Sequence, residues 1–307
     1  MLDILGKRYI FFALSLFLII PGLIVIAVSG LPLSIDFKGG TMLEVEFASG
    51  TLPETADVLA VYNDLGLTDA QVKTTGTNSL QIRSSFMSDE ARASVVSDLA
   101  AKTNDSITVQ SFESVGPTIG QEVTSRAILA VAFAALAVIL YIWFAFRGVN
   151  NAIRYGLCAI IAMFHDVLVV LSLTAIGGLL FGWQVDTLFL TALLSVIGFS
   201  VQDKVVVFDR IRENSAVLRR LDFEKLVNHS IVQTLQRSIN TQLMTVEFML
   251  LALALFGGVT LREFAIILLI GLFMGTYSSI FIAAPILVIW ENGEWRNWFK
   301  RRTPSAA

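Results

Sequence analysis

The sequence predicts an α-helical membrane bundle that carries one small α+β domain outside the cytoplasm. Three observations support this prediction. Of the 307 residues, 55% are hydrophobic and only 15% are charged, whereas a typical soluble domain has about 25% charged residues. Six apolar stretches are long enough to cross a bilayer, which takes about 20 residues each. Between the first two stretches lies a polar segment with the residue patterns of a folded domain.

The six predicted transmembrane helices follow from length and hydropathy. They cover residues 9–28, 126–146, 152–176, 186–208, 239–257 and 264–290. The first has no A-x-A cleavage site, and its apolar core exceeds the ~7–15 residues of a signal peptide, so we predict that it is retained. The predicted domains are a first helix in 1–30, an α+β domain in 31–125, a five-helix part in 126–290 with a charged loop at 209–238, and a tail in 291–307.

The distribution of positive charge predicts the orientation of these spans. Lys and Arg are concentrated before the first span, between the second and third, between the fourth and fifth, and after the sixth. The short loops on the opposite side hold only Arg262. Because cytoplasmic loops carry the excess of Lys and Arg, both termini are predicted in the cytoplasm and residues 31–125 outside it. That segment has 13 acidic residues against five basic ones, which disfavours nucleic acid or anionic lipid as its partner.

Residues 31–125 show the patterns of a small soluble domain, in the order strand, helix, strand, strand, helix, strand. The supporting residues are Leu43, Val45 and Phe47 in the first strand, Ala56, Leu59, Tyr62 and Leu65 on the first helix, 71–74 and 80–82 in the middle strands, Ala91, Val95, Val96 and Leu99 on the second helix, and Ile107 with Val109 in the last strand. The capping-box spacing of Thr51 and Glu54 predicts Thr51 as the N-cap of the first helix. The order βαββαβ predicts a ferredoxin-like fold.

No catalytic constellation is visible in this predicted domain. Residues 31–125 contain no histidine and no cysteine, and they contain neither a G-x-S-x-G nor a P-loop motif. A folding or binding module is therefore favoured over an enzyme. The chain has a single cysteine, Cys158, so a disulfide within the chain is impossible, and no cofactor or metal site is predicted.

Asp203 is the leading candidate for a functional residue because it lies inside the fourth predicted span. A charge in the bilayer costs about 2.5–3.5 kcal/mol on insertion scales, so such a residue is usually retained for a function. One interpretation is a proton carrier that meets water on the two sides in turn. The other is an anchor near the membrane interface. Partners for such an anchor would be Lys204, Asp209 or Arg210.

Three further residues with ionisable side chains lie in the predicted spans. Arg237 begins the fifth span and is either a positive-inside anchor or a guanidinium that pairs with Asp203 in one conformational state. Asp166 lies deeper than Asp203 and follows His165, so it is either a second relay acid or half of a buried hydrogen-bonded pair. Glu247 is interpreted as a neutral acid that is bonded to a neighbouring helix.

Two other sets of residues predict contacts between helices. Gly271 and Gly275 form a GxxxG motif in the sixth span, and the small residue Ser279 follows, so another helix can approach closely there. Thr191, Ser195 and Gln202 form a polar stripe on the fourth span, which is suited to face protein and not lipid.

Six segments together resemble the SecF branch of the SecD/SecF family. The members of this family are accessory subunits of the Sec protein translocase. They are SIDFKGGT (34–41), VGPTIGQE (115–122), FHDVLVV (164–170), VQDKVVVFDRIREN (201–214), NHSIVQTLQRSINTQLMT (228–245) and GTYSSIFIAAP (275–285). They follow the order of the family and cover nearly the whole chain. Each segment alone is a weak signal, whereas the combination is highly specific.

The resemblance implies a half-unit of the resistance-nodulation-division superfamily that pairs with SecD, a similar six-span chain. The two are expected to use the proton motive force to help move a translocating polypeptide, after SecA and the SecYEG channel have begun the transfer. YajC and YidC are further expected partners. By motif alignment, Asp203 matches the functional aspartate of the family's fourth span, and Arg237 matches its fifth-span arginine.

The chain departs from the family pattern at two places. The family usually has Asn-Asp-Thr where this chain has Gln202-Asp203-Lys204. The lysine is expected either to hold Asp203 ionised or to snorkel away and have no role at the site. Glu247 is the second departure, since the family does not lead us to expect an acid there.

Two other classes of function compete with protein export. One is a small-molecule or lipid exporter of the same superfamily, although one domain of about 90 residues leaves little room for a pocket of some 300 Å³. The other is an intramembrane protease, for which Asp166 and Asp203 are the candidate aspartyl pair. Their different predicted depths argue against that pair.

Overall fold

The computed structural model describes residues 3–75, 77–147, 152–242 and 247–294. In chain order the elements are α1 (Arg8–Ser29), α2 (Ile35–Lys38), β1 (Gly40–Phe47), α3 (Thr55–Asp64), β2 (Gln71–Thr75), β3 (Ser79–Ser84), α4 (Asp89–Thr103), β4 (Ile107–Val115), α5 (Pro117–Phe146), α6 (Ala152–Phe181), α7 (Thr187–Val217), α8 (Phe223–Gln242), α9 (Phe248–Phe256), α10 (Val259–Ser278) and α11 (Ala284–Glu291). A 3-10 turn at Leu5–Lys7 precedes α1, and a π-helical turn at Ser279–Ala283 joins α10 to α11.

The chain divides into two compact units. The smaller is Leu33–Leu129, and the larger combines Met1–Pro32 with Ala130–Ala307. Most of the predicted tail, residues 295–307, lies outside the described residues.

The smaller unit contains a four-stranded antiparallel sheet in the order β2-β3-β1-β4, which confirms the predicted ferredoxin-like fold. The alternation in β1 turns Leu43, Val45 and Phe47 to one face, where all three are fully buried. Val58 and Tyr62 of α3 and Val95 and Leu99 of α4 cover that face. The core of the domain therefore lies between the sheet and these two helices.

The predicted start of α3 is wrong by one turn. The helix begins at Thr55, and Glu54 is its N-cap, with no hydrogen bond from the capping side chain. A helix capped by Thr51 would need Leu52 in helical geometry, which the following Pro53 disfavours. The Thr51 amide instead donates to the Ser49 hydroxyl in a loop.

The predicted inner face of α3 is also partly wrong. Val58, Val61 and Tyr62 face the core, while Ala56 and Leu65 of the predicted stripe are exposed. The buried set follows the i, i+3, i+4 spacing of one helix face, and Tyr62 is the member that both patterns share.

The larger unit is helical and apolar, as a membrane bundle must be. Five described segments are long and apolar enough to cross a bilayer: Leu5–Ser29, Pro117–Phe146, Ala152–Phe181, Thr187–Val217 and Leu261–Glu291. The predicted fifth span, 239–257, includes residues 243–246 outside the described set, and its described parts are the end of α8 and α9. The count of six spans therefore stays a prediction.

Two features of this unit position the site. Within it, α1 packs along α6, and α10 packs against both α6 and α7. Residues 209–238, predicted as a charged loop, are largely helical, because α7 continues to Val217 and α8 begins at Phe223. Asn214 near the end of α7 donates to the Ser230 hydroxyl of α8 at 2.8 Å, so the two helices are joined by buried polar contacts.

Candidate functional site: a buried polar centre between three helices

A buried ion pair lies at the centre of the helical unit. Lys204 Nζ of α7 is 2.7 Å from Asp166 Oδ2 of α6, and the two side chains are 0% and 1% exposed. Ser200 of α7 donates to the same carboxylate oxygen at 2.5 Å, and Ser278 of α10 does so at 2.7 Å. Three helices thus supply one closed cluster, which we call the Asp166 cluster: Asp166, Ser200, Lys204 and Ser278.

His165 and Tyr277 border the Asp166 cluster. His165 Nδ1 lies 3.0 Å from Asp166 Oδ1, while its Nε2 is buried and finds no hydrogen-bond partner among the described residues. The imidazole stacks on the ring of Tyr277 with 6.4 Å between centroids. The Tyr277 hydroxyl donates to the Phe11 carbonyl of α1 at 2.9 Å, so α1 is connected to the same region.

Asp203 lies beside the cluster and on the same side of α7. Its side chain is buried, and Oδ2 accepts a hydrogen bond from Thr276 Oγ1 of α10 at 2.9 Å. The spacing of Ser200, Asp203 and Lys204 is i, i+3, i+4, so one helix face presents all three to the neighbouring helices. Each of the two buried acids, Asp203 and Asp166, accepts a hydrogen bond from a hydroxyl of α10.

The two glycines of the GxxxG motif lie where α10 meets α7. A Cβ atom on Gly271 would lie 2.2 Å from Cγ2 of Val196, and one on Gly275 would lie 3.2 Å from Cα of Ser200. The small residues bring the backbone of α10 close enough for Thr276 and Ser278 to reach the carboxylates. Ser279 is fully buried at the start of the π-helical turn, where its hydroxyl donates to the Thr276 carbonyl.

Lys204 is the residue whose role the sequence analysis missed. Neither expectation for it is met, because its ammonium binds Asp166 and not Asp203, and it is fully buried. A sequence signal for this contact existed: a lysine inside a membrane span requires a buried acid partner, and Asp166 lies on the preceding span.

Thr191, Ser195 and Gln202 occupy a different side of α7. The hydroxyls of Thr191 and Ser195 donate to carbonyls one turn earlier in their own helix, and Thr191 and Gln202 are exposed. The predicted polar stripe therefore faces away from the other described helices of this chain.

Arg237 and Glu247 lie apart from the Asp166 cluster. Arg237 is an exposed residue of α8, and no ion pair joins it to another described residue. Glu247 is largely buried, close enough to Asp203 to interact with its charge, and lines an apolar cavity of about 400 Å³. Two acids with unlike surroundings, Asp203 and Glu247, thus lie near one another. Among the described residues, no three His, Cys, Asp or Glu side chains converge to hold a metal ion.

A second ion-pair network ties together the end of the helical unit where the chain begins. Arg8, whose side chain is 12% exposed, lies 2.8 Å from Glu224 of α8 and 2.8 Å from Glu294 beyond α11. The side-chain oxygen of Asn228 accepts a hydrogen bond from the backbone amide of Ile4 at 3.0 Å. The start of α1, the start of α8 and the end of α11 are held together by these contacts.

The smaller unit also contains a close glycine contact, between residues of the SIDFKGGT and VGPTIGQE segments. Gly39 and Gly40 have φ values of 76° and 134°, which favour glycine. A Cβ on Gly120 would lie 2.6 Å from the Gly39 nitrogen. Thr124 of α5 donates to the Phe37 carbonyl at 3.0 Å, so the start of α5 is packed onto the turn that leads into β1.

Comparison with known proteins agrees with this architecture. Residues 95–293 match the family model described as the C-terminal part of the protein export membrane proteins SecD and SecF, and residues 24–50 match the SecD/SecF GG motif. The chain is 76% identical to the protein translocase subunit SecF of Anaerolinea thermophila, with both chains covered completely. It is 46% identical to the SecF of Thermobaculum terrenum, over 100% of this chain and 99% of that protein.

A solved structure extends the comparison to the fold. The crystal structure of SecDF from Thermus thermophilus, a translocon-associated membrane protein, superposes with a TM-score of 0.82 at 33% identity. The match covers 95% of this chain and 39% of that one. The GG motif of the family model contains the Gly39–Gly40 turn that packs against Gly120. From its family models, its relatives and its fold, the chain belongs to the SecD/SecF family of protein export membrane proteins.

Proposed function

We propose that this chain is a non-enzymatic subunit of a Sec-type protein-export machinery, and that it uses the proton motive force to promote late stages of polypeptide translocation across the cytoplasmic membrane. The relatives from Anaerolinea and Thermobaculum are named as SecF subunits of a protein translocase. Because both match this chain from end to end, their named role is the best-supported one for it.

A SecD-type chain is the first partner in this proposal. The Thermus protein is a SecDF, and this chain accounts for 39% of its length. That match supports a SecD-type partner that completes the bundle here. The SecYEG channel, SecA and the translocating polypeptide are further proposed partners, together with YajC and YidC, on the strength of the family resemblance.

The observation that carries the coupling role is the position of Asp203. Its carboxylate is buried between α7 and α10 and is held by the hydroxyl of Thr276. An ionisable group at this depth marks an ion pathway more often than an anchor. One charge that crosses 100 mV of membrane potential is worth about 2.3 kcal/mol, so a few protons suffice to drive a conformational change.

Arg237 is the proposed second member of the relay. It lies on α8, which is joined to the Asp203 helix through Asn214 and Ser230. A movement of α8 and of the chain that follows it could bring the guanidinium to Asp203 after the proton has left. Such a switch of partners couples protonation to a change of shape.

The proposed topology places residues 31–125 outside the cytoplasm and both termini inside it. The acid excess of that segment and the position of Lys and Arg support this orientation. A mobile domain on the outer side is then in place to hold or release the emerging polypeptide.

The two competing functions have less support. A small-molecule exporter is disfavoured because the similar proteins are named for protein translocation. An aspartyl protease needs one proton shared between two carboxyls. Oδ2 of Asp166 instead accepts from two hydroxyls and from the Lys204 ammonium.

The test is an export assay in cells that lack their own SecD and SecF and are supplied with this chain and its cognate SecD. A secreted precursor is followed over time for the wild type, for Asp203→Asn and for the control Asp209→Asn. Asp209 is an exposed acid two turns further along the same helix. Equal amounts of each variant in the membrane are verified first.

The expected result is export by the wild type and by Asp209→Asn, and loss of export by Asp203→Asn. Equal export by all three would show that the Asp203 carboxylate is a structural anchor, and proton coupling through it would be rejected. Failure of the wild type with its cognate SecD, once the whole cognate Sec machinery is supplied, would reject the translocase role.

A further inference from the structure

The charged groups of the Asp166 cluster are paired with one another inside the helical unit. The ammonium of Lys204 has three protons and three acceptors: Asp166 Oδ2 at 2.7 Å, the Ser200 carbonyl at 3.2 Å and the Ser200 hydroxyl. Asp166 accepts through both oxygens from His165, Ser200, Lys204 and Ser278. All three protons of the ammonium therefore have an acceptor, and Asp166 accepts three hydrogen bonds through Oδ2 and one through Oδ1.

Burial points the same way. Asp166 is 1% exposed and Lys204 is 0% exposed, whereas Asp203 and Glu247 are 6% and 9% exposed. A carboxyl that carries protons has to exchange them with water, and a fully paired ion in a dry site exchanges poorly. Removal of one partner of such a pair leaves an uncompensated buried charge. Because that charge strongly destabilises the fold, the pair stays intact.

Few other charges act on this pair. The helix α10 contains Arg262 and Glu263 near its start and Tyr277 near its end, and the Tyr277 ring lies against His165 of α6. In α7, Asp203 directly precedes Lys204. The charged residue of α1 is Arg8, at the first position of that helix. The charged residue of α11 is Glu291, at the last position, and it pairs with Arg154. The π-helical turn has none. The charge balance of the cluster is therefore set by Asp166 and Lys204, with His165 as the one titratable neighbour in contact.

We infer that Lys204 is the fixed counter-charge of Asp166, and that this pairing removes Asp166 from proton carriage and leaves it to Asp203. Lys204 is thus a counter-charge that keeps Asp166 out of the coupling step. The inference replaces the initial assignment of Asp166 to the relay, and it rests on the proposed proton coupling through Asp203.

The test uses the complex with SecD in membrane vesicles and measures export, per folded molecule, as a function of external pH. Four variants are compared with the wild type: Lys204→Met, Asp166→Asn, the double variant that carries both changes, and Lys204→Arg. The amount of folded protein is determined for each by size-exclusion chromatography of the solubilised complex. Asp203→Asn is included as the reference for lost coupling.

The single neutral variants are expected to fold poorly, at less than a third of the wild-type yield, because each leaves one buried charge alone. The double variant is expected to recover folding and at least half of the wild-type export, with an unchanged pH profile. In the folded fraction of Lys204→Met, Asp166 becomes free to bind a proton, so the pH profile should gain a second step. Lys204→Arg keeps the charge and should keep the single step.

Three outcomes would overturn the inference. A folded double variant that exports no better than Asp203→Asn would make Asp166 a proton carrier. A wild-type pH profile in folded Lys204→Met would reduce the pair to a structural role. A second step in Lys204→Arg would show that charge is not the property that matters. If Asp203→Asn itself exports normally, the proposed proton coupling through Asp203 fails, and this result is distinct because it does not depend on the double variant.

Discussion

The hydroxyl of Thr276 in α10 donates a hydrogen bond to the carboxylate of Asp203 in α7 over 2.9 Å. The contact exists because Gly271 and Gly275 bring α10 close to α7. One partner of Asp203 is therefore a group on another helix, and any sliding of α10 along α7 changes the surroundings of the acid. If Asp203 carries protons as proposed, its protonation is in this way coupled to the packing of two helices.

Thr276→Val is expected to lower export about tenfold without loss of folded protein. Valine has the shape of threonine and lacks the donor, and a hydrogen bond to a charged group is worth about 1.5–3 kcal/mol. Thr276→Ser keeps the hydroxyl and should stay within about threefold of the wild type. The measurement is the rate of precursor export. Equal rates for valine and serine would show that the hydroxyl does not serve Asp203.

Gly271→Ala is expected to destabilise the helical unit by about 1–3 kcal/mol, the range for an overpacked site. The new methyl group would lie 2.2 Å from Cγ2 of Val196. Gly198→Ala is the matched control, since a Cβ there meets no atom within 4 Å and the residue lies in the adjacent helix α7. Thermal unfolding of the solubilised complex is the measurement. Partial recovery in Gly271→Ala combined with Val196→Ala would assign the loss to this contact.

Sequence reasoning found the elements of the α+β domain but placed one helix start incorrectly. Strand alternation in 42–47 is decided locally, because one face of a sheet must be buried, and the structure buries Leu43, Val45 and Phe47. The start of α3 was misjudged because the pattern of Thr51 and Glu54 competes with Pro53, whose effect on Leu52 prevails. A local motif was overruled by a neighbouring residue, which a spacing rule does not consider.

The Asp166 cluster was harder to predict for a different reason. Asp166, Lys204 and Ser278 lie on three helices, and hydropathy gives neither the rotation nor the depth of a helix. Lys204 follows Asp203 directly in sequence, yet successive residues on a helix point about 100° apart, so the two side chains meet different partners. The sequence identified the acids, while the structure was needed to pair them.

Gly120→Ala is expected to destabilise the smaller unit by about 1–3 kcal/mol. The added Cβ would lie 2.6 Å from the Gly39 nitrogen and 3.1 Å from the Phe37 carbonyl oxygen, both of them backbone atoms that cannot rotate away. Gly116→Ala, four residues earlier in the same segment, meets no atom within 4 Å and serves as the control. Hydrogen exchange of β1 and β4 measures the effect. Similar exchange rates in the two variants would mean that the start of α5 and the turn at Gly39 can move apart without cost to accommodate the methyl group.

The loop around Asp105 is expected to loosen in acid. The Ser49 hydroxyl donates to this carboxylate at 2.6 Å, and together with the amides of Ser49 and Ser106 it lowers the pKa of Asp105 below its ordinary value of 3.8. Since the folded pKa is the lower one, this contribution to stability is present above the ordinary pKa and is lost as pH falls through the folded pKa.

The measurement is amide exchange at Ser49 and Ser106 over a descending pH series, after correction for the intrinsic rates. Protection should hold down to the ordinary pKa of Asp105 and then decrease progressively as the pH falls through the lower pKa of the folded state. Asp105→Asn should give low protection throughout, whereas Asp98→Asn, which changes an exposed acid of α4, should behave like the wild type. Protection in Asp105→Asn equal to that of the wild type would show that the carboxylate does not order this loop.

Arg8→Gln is expected to destabilise the helical unit by about 2 kcal/mol and to release the start of α8. The arginine side chain is only 12% exposed and binds Glu224 and both oxygens of Glu294. Each hydrogen bond to a charged group is worth about 1.5–3 kcal/mol. The net loss is smaller than their sum because the two acids become hydrated in the variant. Arg212→Gln is the control, because Arg212 and its partner Asp209 are 49% and 55% exposed and such pairs contribute about 0–1 kcal/mol.

Hydrogen exchange in residues 223–230 separates a local release from a general loss of stability. In Arg8→Gln these amides should exchange faster while α6 and α7 around the Asp166 cluster stay protected, because that cluster has no contact with Arg8. If Arg237 reaches Asp203 through a movement of α8, as proposed, the same variant should also export more slowly than its folded amount explains. Export in strict proportion to the amount of folded protein would show that the Arg8 contacts stabilise the helical unit but have no part in the coupling step. The proposed movement of α8 would then be rejected.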